Sequence, residues 1–227
     1  MKFHYTDLET CHEATGVVLV IDVLRAFSTA AFAFACGAQE ILLVSTVEEA
    51  LSLKSMIPNS QAMGEVGGLR PDGFDFGNSP TYISKAELLG KTMIHRTSAG
   101  TQGVVRSRNA EVMLACSFVV ASAAACYIGK LGVPEVTFVV TGKSYNGGDE
   151  DLACAEYLEA LLRGHQPKRE PLIRRVLESK DAFPHLDPAQ REFPLSDLEL
   201  CTQVDKFDFA MPITREDGKL IMRAVKP

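Results

Sequence analysis

Four acidic residues of this chain, Asp22, Glu65, Glu150 and Asp151, lie shortly after apolar runs that predict strands. In an open α/β sheet, ligands bind outside the carboxyl ends of the strands, and the predicted topology puts all four acids at that edge. Carboxylate oxygens suit Mg²⁺, which is usually held by one or two of them together with substrate phosphate oxygens. The sequence therefore predicts a magnesium site in which these residues bind the ion or position water.

An anion-binding group is predicted beside the acids. Arg25 follows Asp22 by three residues, at the start of a predicted helix. Arginine binds phosphate oxygens through two N–H groups at once. The small-residue turn at 97–101 adds hydroxyls and helix-start N–H groups. The predicted phosphate ligands in these two segments are Arg25, Thr97, Ser98, Gly100 and Thr101.

A long glycine-rich segment, Gly64–Pro80, holds five of the seventeen glycines and is predicted to be a loop at the site. Asn78 or Ser79 is suited to cap the helix that follows, and both are predicted to bind the substrate's anionic group. Asp75 lies in the same loop. Together with Asp22 it is the candidate general base, and we count Asp22, Arg25 and Asp75 as the candidate catalytic residues.

Several of these residues also have a purely structural interpretation. Asp22 could be only the cap of the helix that follows it, and Arg25 could be a buried ion-pair partner of Asp22 or Asp75. Glu150 and Asp151 lie in a first helical turn, where the helix dipole alone favours acids.

The remaining alternatives concern the loops and one histidine. Ser98 and Thr101 could simply cap a short helix, and the glycine-rich segment could be an ordered surface connection. His95 lies in the middle of a predicted strand, which favours a core histidine over a general base.

The elements that must position these residues alternate along the chain. Six apolar runs predict strands, at residues 17–22, 40–44, 62–63, 92–96, 111–115 and 136–140. Helical patterns occupy residues 24–36, 47–57, 80–89, 118–131 and 149–163. This alternation predicts a three-layer α/β/α fold with a mostly parallel central sheet.

The composition changes after Gly164, where the chain becomes polar and rich in proline. Two late segments, Phe207–Met211 and Leu220–Val225, predict a hairpin around Asp217-Gly218. We interpret residues 165–227 as an edge addition or a cover on a single domain of 227 residues. Large apolar residues occupy every second position from Phe207 to Ile213, which predicts a homodimer unless the same chain covers that face.

The net charge, the lengths of the apolar runs and the cysteine spacing argue against several classes of protein. A net charge of −6 argues against nucleic-acid binding, because no basic stripe is present to neutralise phosphates. No apolar run reaches the length of a membrane span, and the N-terminus lacks the layout of a signal peptide. The six cysteines show neither paired nor metal-binding spacing. We expect a protein of the reducing cytoplasm whose partner is a small, anionic, phosphorylated substrate.

With these pieces in order, the chain resembles the 2-phosphosulfolactate phosphatase family, which are magnesium-dependent phosphatases of α/β fold. The motifs that carry the resemblance are Val20-Ile21-Asp22-Val23-Leu24-Arg25-Ala26, Gly73-Phe74-Asp75-Phe76-Gly77-Asn78-Ser79-Pro80, Thr97-Ser98-Ala99-Gly100-Thr101, Ser117-Phe118 with Ala121-Ser122, and Glu150-Asp151-Leu152-Ala153-Cys154-Ala155. The resemblance implies hydrolysis of (2R)-2-phospho-3-sulfolactate to 3-sulfolactate and phosphate, a step of coenzyme M biosynthesis.

Two departures from the family pattern bear on the substrate. Val66 stands where the family often has arginine, and Ala99 stands where it often has asparagine, with Gln102 at a frequently basic position. Arg70 or Arg96 could replace the missing cation. Two other functions therefore stay open: a phosphatase of another phosphorylated hydroxy acid, and a non-catalytic binder of small anionic metabolites.

Overall fold

The computed structural model describes residues 1–142 and 149–227. Its strands are β1 Lys2–Thr6, β2 Gly16–Ile21, β3 Glu40–Leu43, β4 Ser60–Gly64, β5 Thr92–Arg96, β6 Ala110–Cys116, β7 Glu135–Val140, β8 Met211–Glu216 and β9 Lys219–Met222. Its α-helices are α1 Ala26–Ala35, α2 Val47–Met56, α3 Pro80–Ile83, α4 Gly100–Arg106, α5 Ala121–Leu131, α6 Asp149–Leu162, α7 Arg169–Glu178 and α8 Ser196–Cys201. Short 3-10 helices lie at Cys11–Glu13, Phe118–Val120 and Lys180–Leu186.

The strands form one sheet in the order β1-β7-β2-β6-β8-β9-β3-β5-β4. The first four pair in parallel, and so do the last three. The hairpin of β8 and β9 joins the two blocks through antiparallel pairings on both sides. The predicted α/β class with a mostly parallel sheet is confirmed.

The position of the C-terminal hairpin differs from the prediction. Its turn at Asp217-Gly218 is confirmed, with positive φ angles of 48° and 76° that suit a tight hairpin. The two strands, however, lie in the middle of the sheet, between β6 and β3, and not at an edge. The predicted strand at residues 207–211 was also wrong, because β8 begins only at Met211.

The hairpin also changes how the site is assembled. Three successive antiparallel pairings reverse direction between β6 and β3, so β4 runs opposite to β2 and β7 in the sheet. The prediction of a shared sheet edge is therefore wrong for Glu65, whereas Asp22 and Glu150 follow neighbouring parallel strands. Glu65 approaches Asp22 through Ser98 in the turn before α4 and Gly100 at the start of that helix.

The core is built around β2 and α1. All of β2 after Gly16 is buried, and Ala26 to Phe34 of α1 are buried as well. Such an apolar helix needs cover on every side, and Phe207 and Phe209 supply part of it. Their rings lie 5.1 Å from Phe32 and 6.1 Å from Phe34 respectively. The chain itself therefore covers the alternating apolar face that motivated the dimer, and the dimer stays a prediction.

Candidate active site

Asp22 lies directly after β2 and is 5% exposed. Its Oδ1 accepts a hydrogen bond of 2.8 Å from the Ala26 N–H group at the start of α1. Its Oδ2 lies against Gly100, the first residue of α4, where an added Cβ atom would come within 2.7 Å of that oxygen. Burial raises the pKa of Asp22 to about 6, opposed by the Ala26 N–H group and reinforced by the charge of Glu65. Asp22 thus holds the start of α1 through one oxygen, and its other oxygen lies beside the start of α4.

Glu150 and Asp151, in the first turn of α6, are both 2% exposed but differ in their partners. Asp151 accepts hydrogen bonds from the N–H groups of Val23 at 2.7 Å and Gly142 at 2.9 Å, and from the Thr141 hydroxyl at 3.2 Å. Within the described part of the chain, Oε2 of Glu150 has no partner. Burial, and next the charge of a neighbouring carboxylate, raise the pKa of both groups, that of Glu150 to about 8.

Glu65 follows β4 and ties two loops together. Its Oε1 accepts a hydrogen bond from the Ser98 N–H group, and its Oε2 accepts from the Gly68 N–H group at 2.6 Å and the Ser98 hydroxyl at 3.0 Å. Both oxygens of this predicted metal ligand are therefore already engaged by the fold.

The turn before α4 is held by its own hydroxyls. The N–H group of Thr97 donates to Oγ1 of Thr101 at 2.8 Å, and the N–H group of Thr101 donates to Oγ1 of Thr97 at 3.0 Å. Both threonines are buried, whereas Ser98 is exposed. Gly100, at the start of α4, faces the Asp22 carboxylate, and Ser98 donates to Glu65. The predicted phosphate ligands of this turn therefore already have partners within the chain.

The start of α3 is also occupied from within the chain. Asp197 of α8, fully buried, accepts hydrogen bonds from the Ser79 hydroxyl at 2.7 Å and the Thr81 N–H group at 3.0 Å. The neighbouring Asn78 is 6% exposed, and its Oδ1 has no partner among the described residues. The Ser79 hydroxyl thus has a structural hydrogen bond, whereas the Asn78 side-chain oxygen has no partner among the described residues.

Arg25 pairs with the same aspartate, and with neither Asp22 nor Asp75. Its Nη1 donates to Oδ2 of Asp197 at 2.7 Å and to the carbonyl oxygen of Glu192. Its guanidinium carbon lies 4.4 Å from the centre of the Phe193 ring. The peptide bond between Leu24 and Arg25 is cis. Residues 192–197, which are far from Arg25 in sequence, thus hold its guanidinium group from one side.

Two adjoining cavities collect these side chains. The first, here called the Arg25 cavity, has a volume of about 260 Å³ and is lined by Asp22, Leu24, Arg25, Glu65, Gly67, Gly68, Asn78, Ala99, Asp181, Pro184, His185 and Phe193. The second, here called the acid cavity, has about 330 Å³ and is lined by Leu8, Asp22, Leu24, Ser98, Ala99, Thr141, Gly142, Glu150, Asp151 and Asp181. Four residues line both, so one elongated ligand can reach across them.

The family model described as 2-phosphosulpholactate phosphatase matches residues 3–216, nearly the whole chain. The chain belongs to this family. Relatives from several bacteria carry the name "Probable 2-phosphosulfolactate phosphatase". That of Bacillus subtilis is 34% identical and covers 89% of this chain and 88% of its own. That of Carboxydothermus hydrogenoformans is 40% identical, with 91% and 90% covered, and that of Thermus thermophilus is 34% identical, with 88% of each covered.

The departures from the family pattern leave the site with few cations. Val66 is 47% exposed and lines neither cavity. Arg70 donates to the Asp75 carbonyl oxygen, and Arg96 donates to the carbonyl oxygens of Ser45 and Glu65. Among the described residues that line the two cavities, Arg25 alone is an arginine or lysine.

The donor chemistry of the acid cavity fits the magnesium ion that the family resemblance implies. Over residues 1–142 and 149–227, no three acidic, histidine or cysteine side chains converge tightly enough to enclose an ion. Magnesium does not need such a cage, because it is usually held by one or two carboxylates and keeps several waters. Oδ2 of Asp22, which lies beside the main chain of Gly100, and Oε2 of Glu150, which has no partner among the described residues, supply two such oxygens. Both oxygens of Asp151 and both of Glu65 accept hydrogen bonds within the chain.

Asp75 is not brought to the site. It lines neither cavity, and its Oδ2 lies 2.8 Å from Nζ of Lys54 and accepts the Ala62 N–H group at 2.8 Å. This arrangement ties the glycine-rich loop to β4 and α2.

The C-terminal segment contributes residues that the sequence did not indicate. Asp181, His185 and Phe193 line the Arg25 cavity, and Asp197 fixes Arg25. Nδ1 of His185 donates to the Pro194 carbonyl oxygen at 3.0 Å, and burial lowers the pKa of this histidine. The predicted cover therefore forms one wall of the site. No helix in the described part of the chain is long and apolar enough to cross a membrane.

Proposed function

We propose that this protein is a magnesium-dependent phosphatase that hydrolyses 2-phospho-3-sulfolactate to 3-sulfolactate and phosphate. The observation that carries the proposal is the pair of buried carboxylate oxygens, Oδ2 of Asp22 and Oε2 of Glu150, which the fold leaves at one cavity. Family membership and the names of the relatives support the same reaction and substrate.

Asp22 and Glu150 would hold the ion. Bound magnesium would neutralise charge on the phosphoryl oxygens and lower the pKa of a bound water. Asp151 would act indirectly, because its hydrogen bonds to Val23 and Gly142 hold the chain after β2 beside the start of α6. Glu65 would act in the same indirect way on the turn that faces Asp22.

The reaction needs a base for the attacking water, whose oxygen forms a bond to phosphorus as the ester oxygen leaves. Of the two candidates, Asp22 lines both cavities and Asp75 lines neither. Position therefore favours Asp22, and we assign it as the base.

Phosphate release from 2-phosphosulfolactate tests the proposal, measured with magnesium, with a chelator, and with magnesium added back. We expect release to stop with the chelator and to recover with magnesium. Equal rates in all three conditions would remove the metal from the mechanism, and no release in any of them would remove the substrate.

One observation favours a phosphatase of a less highly charged ester as the second candidate. The described lining of the two cavities holds one arginine, whereas 2-phosphosulfolactate carries phosphate, sulfonate and carboxylate groups. A panel of phosphorylated hydroxy acids separates the two candidates by their relative kcat/KM values. Binding of such esters without turnover of any would instead favour a non-catalytic binder.

The cytoplasmic location, the place in coenzyme M biosynthesis and the homodimer are further proposals. The family resemblance supports the pathway, and the absence of paired cysteine spacing in the sequence supports a reducing compartment. Light scattering that gives the mass of one chain over a wide concentration range would end the dimer proposal.

A further inference from the structure

The guanidinium group of Arg25 uses only part of its hydrogen-bonding capacity inside the protein. Nη1 donates to Asp197 and to the Glu192 carbonyl oxygen, and Phe193 covers one face. Within the described residues, Nε and Nη2 donate no hydrogen bond, and neither belongs to the buried atoms without a partner. Because Arg25 lines the Arg25 cavity, its Nε and Nη2 atoms are available there to bind two oxygens of a sulfonate or carboxylate at once.

Asn78 is a second, independent sign of a ligand in the same cavity. Its side chain is more than nine-tenths buried, lines the cavity and leaves Oδ1 without a partner among the described residues. A buried polar group without a hydrogen bond costs about 1–3 kcal/mol, so the fold alone gives no reason to keep it. The amide offers both a donor and an acceptor to a bound anion or hydroxyl group.

The two cavities differ in charge, and this orients the substrate. The acid cavity is lined by four carboxylates and, among the described residues, by no arginine or lysine, whereas the Arg25 cavity is lined by three carboxylates together with Arg25. An anion therefore enters the acid cavity only together with a cation. Magnesium binds phosphate oxygens in such sites, which assigns the transferred phosphoryl group to the acid cavity. The non-transferred anionic group must then occupy the other end of the ligand, next to Arg25.

We infer that the Arg25 cavity binds the anionic group of the substrate that is not transferred, through Nε and Nη2 of Arg25 and the amide of Asn78. This inference rests on the proposed phosphatase function and adds a specificity subsite to it. Asp197 is the positioning residue of the subsite, because it holds Nη1 and leaves the other two nitrogens available to the ligand.

Three esters test the subsite: 2-phosphosulfolactate, 2-phospholactate, which lacks the sulfonate, and the phosphate ester of 2-hydroxyethanesulfonate, which lacks the carboxylate. In the wild type, kcat/KM should fall by about tenfold to a hundredfold for the ester that lacks the group bound by Arg25. Arg25→Gln should shrink this preference to within about threefold, mainly through a higher KM for the full ester. Which analogue loses its disadvantage identifies the bound group as sulfonate or carboxylate.

Two further variants keep the test decisive. Arg215→Gln is the matched control, because Arg215 also donates to main-chain carbonyl oxygens, of Ala110 and Ser107, but lines neither cavity. It should keep the wild-type preference among the esters. If Arg25→Gln does not fold, Asn78→Ala replaces it and should narrow the preference by about threefold to tenfold.

Equal slowing of all three esters by Arg25→Gln, or an unchanged preference, would overturn the subsite and leave the phosphatase intact. If the wild type hydrolyses none of the esters, the proposed function fails, and calorimetry with 3-sulfolactate, lactate and 2-hydroxyethanesulfonate decides the subsite alone. Binding that Arg25→Gln weakens at least tenfold would support it, and binding of none of the three would overturn it.

Discussion

Glu65 and Glu150 are both buried glutamates that follow strands, but they differ in how many hydrogen bonds their carboxylates receive. Glu65 receives three hydrogen bonds that join the glycine-rich loop to the turn before α4. Oε2 of Glu150 receives none from the described residues, and burial raises the pKa of this glutamate to about 8. A buried carboxylate is costly unless it is paired or hydrogen-bonded, so only Glu150 needs a proton or a cation from outside the fold.

The largest expected effect on activity is that of neutralising Glu150, the glutamate without a hydrogen-bond partner on Oε2. Glu150→Gln should lower kcat/KM by about a hundredfold to a thousandfold, because it removes a charged ligand from the phosphoryl site. The melting temperature of metal-free Glu150→Gln should equal or exceed that of the metal-free wild type, since glutamine removes the cost of burying or protonating this carboxyl group. Steady-state kinetics and calorimetry on one preparation measure both, and a destabilised variant with normal turnover would reverse the roles of the two glutamates.

Glu65→Gln should show the opposite pattern, with its main effect on stability. Hydrogen bonds to a charged group contribute about 1.5–3 kcal/mol each, and a glutamine retains only part of them. We expect a loss of about 2–3 kcal/mol in the free energy of unfolding, measured by denaturant titration. The folded variant should lose less activity than Glu150→Gln. A stable Glu65→Gln protein that no longer responds to magnesium would make Glu65 a metal ligand after all.

His95 is also buried and without hydrogen-bond partners among the described residues, but unlike Asn78 and Glu150 it lines neither cavity. It is fully buried in β5, and both ring nitrogens lack partners among the described residues, which confirms a core histidine. Burial lowers its pKa to about 3, so below pH 6.5 the unfolded chain binds a proton that the folded protein does not. The wild type should lose about 2 kcal/mol of stability between pH 7 and pH 5 relative to His95→Leu.

Unfolding titrations of the wild type and His95→Leu at both pH values check this, with turnover at pH 7 as the control for function. Parallel pH dependences would show that His95 binds its proton in the folded state too.

The smallest expected effect is that of Asp75→Asn. Asp75 pairs with Lys54, but both side chains are more than a quarter exposed, and such pairs contribute at most about 1 kcal/mol. An asparagine can still accept the hydrogen bond from the Ala62 N–H group. The melting temperature should fall by only about 2–4 °C, with kcat unchanged. A hundredfold fall in kcat would restore Asp75 as the general base.

The sequence predicted the alternation of strands and helices well, because buried parallel strands and their helices carry strong local patterns. It missed β1, a short edge strand with several polar residues, whose Phe3 stacks on Phe138 at 5.9 Å. The helix predicted at residues 80–89 is shorter in the structure, where α3 ends at Ile83. Pairing order leaves no local signal, which is why the interior position of the hairpin was not predicted.

For the site, the sequence identified residues but not their partners. Asp22, Glu65, Glu150 and Arg25 all line the cavities, but Glu65 reaches them through the turn before α4 and not along a shared sheet edge. Asp197 was missed because its contact with Arg25 spans 172 positions, and a single acid in a polar segment has no distinguishing pattern. Glu65 and Glu150 look alike in sequence, and only the count of their hydrogen-bond donors separates them.

The interior position of the β8–β9 hairpin sets the order in which the molecule is completed during translation. Residues 211–222 are synthesised after every other described strand, yet they join the two parallel blocks. Until they leave the ribosome, the facing edges of β6 and β3 stay unpaired and open to other strands. A chain that stops before residue 211 therefore presents two sheet edges at once, which makes it a substrate for chaperones and proteases.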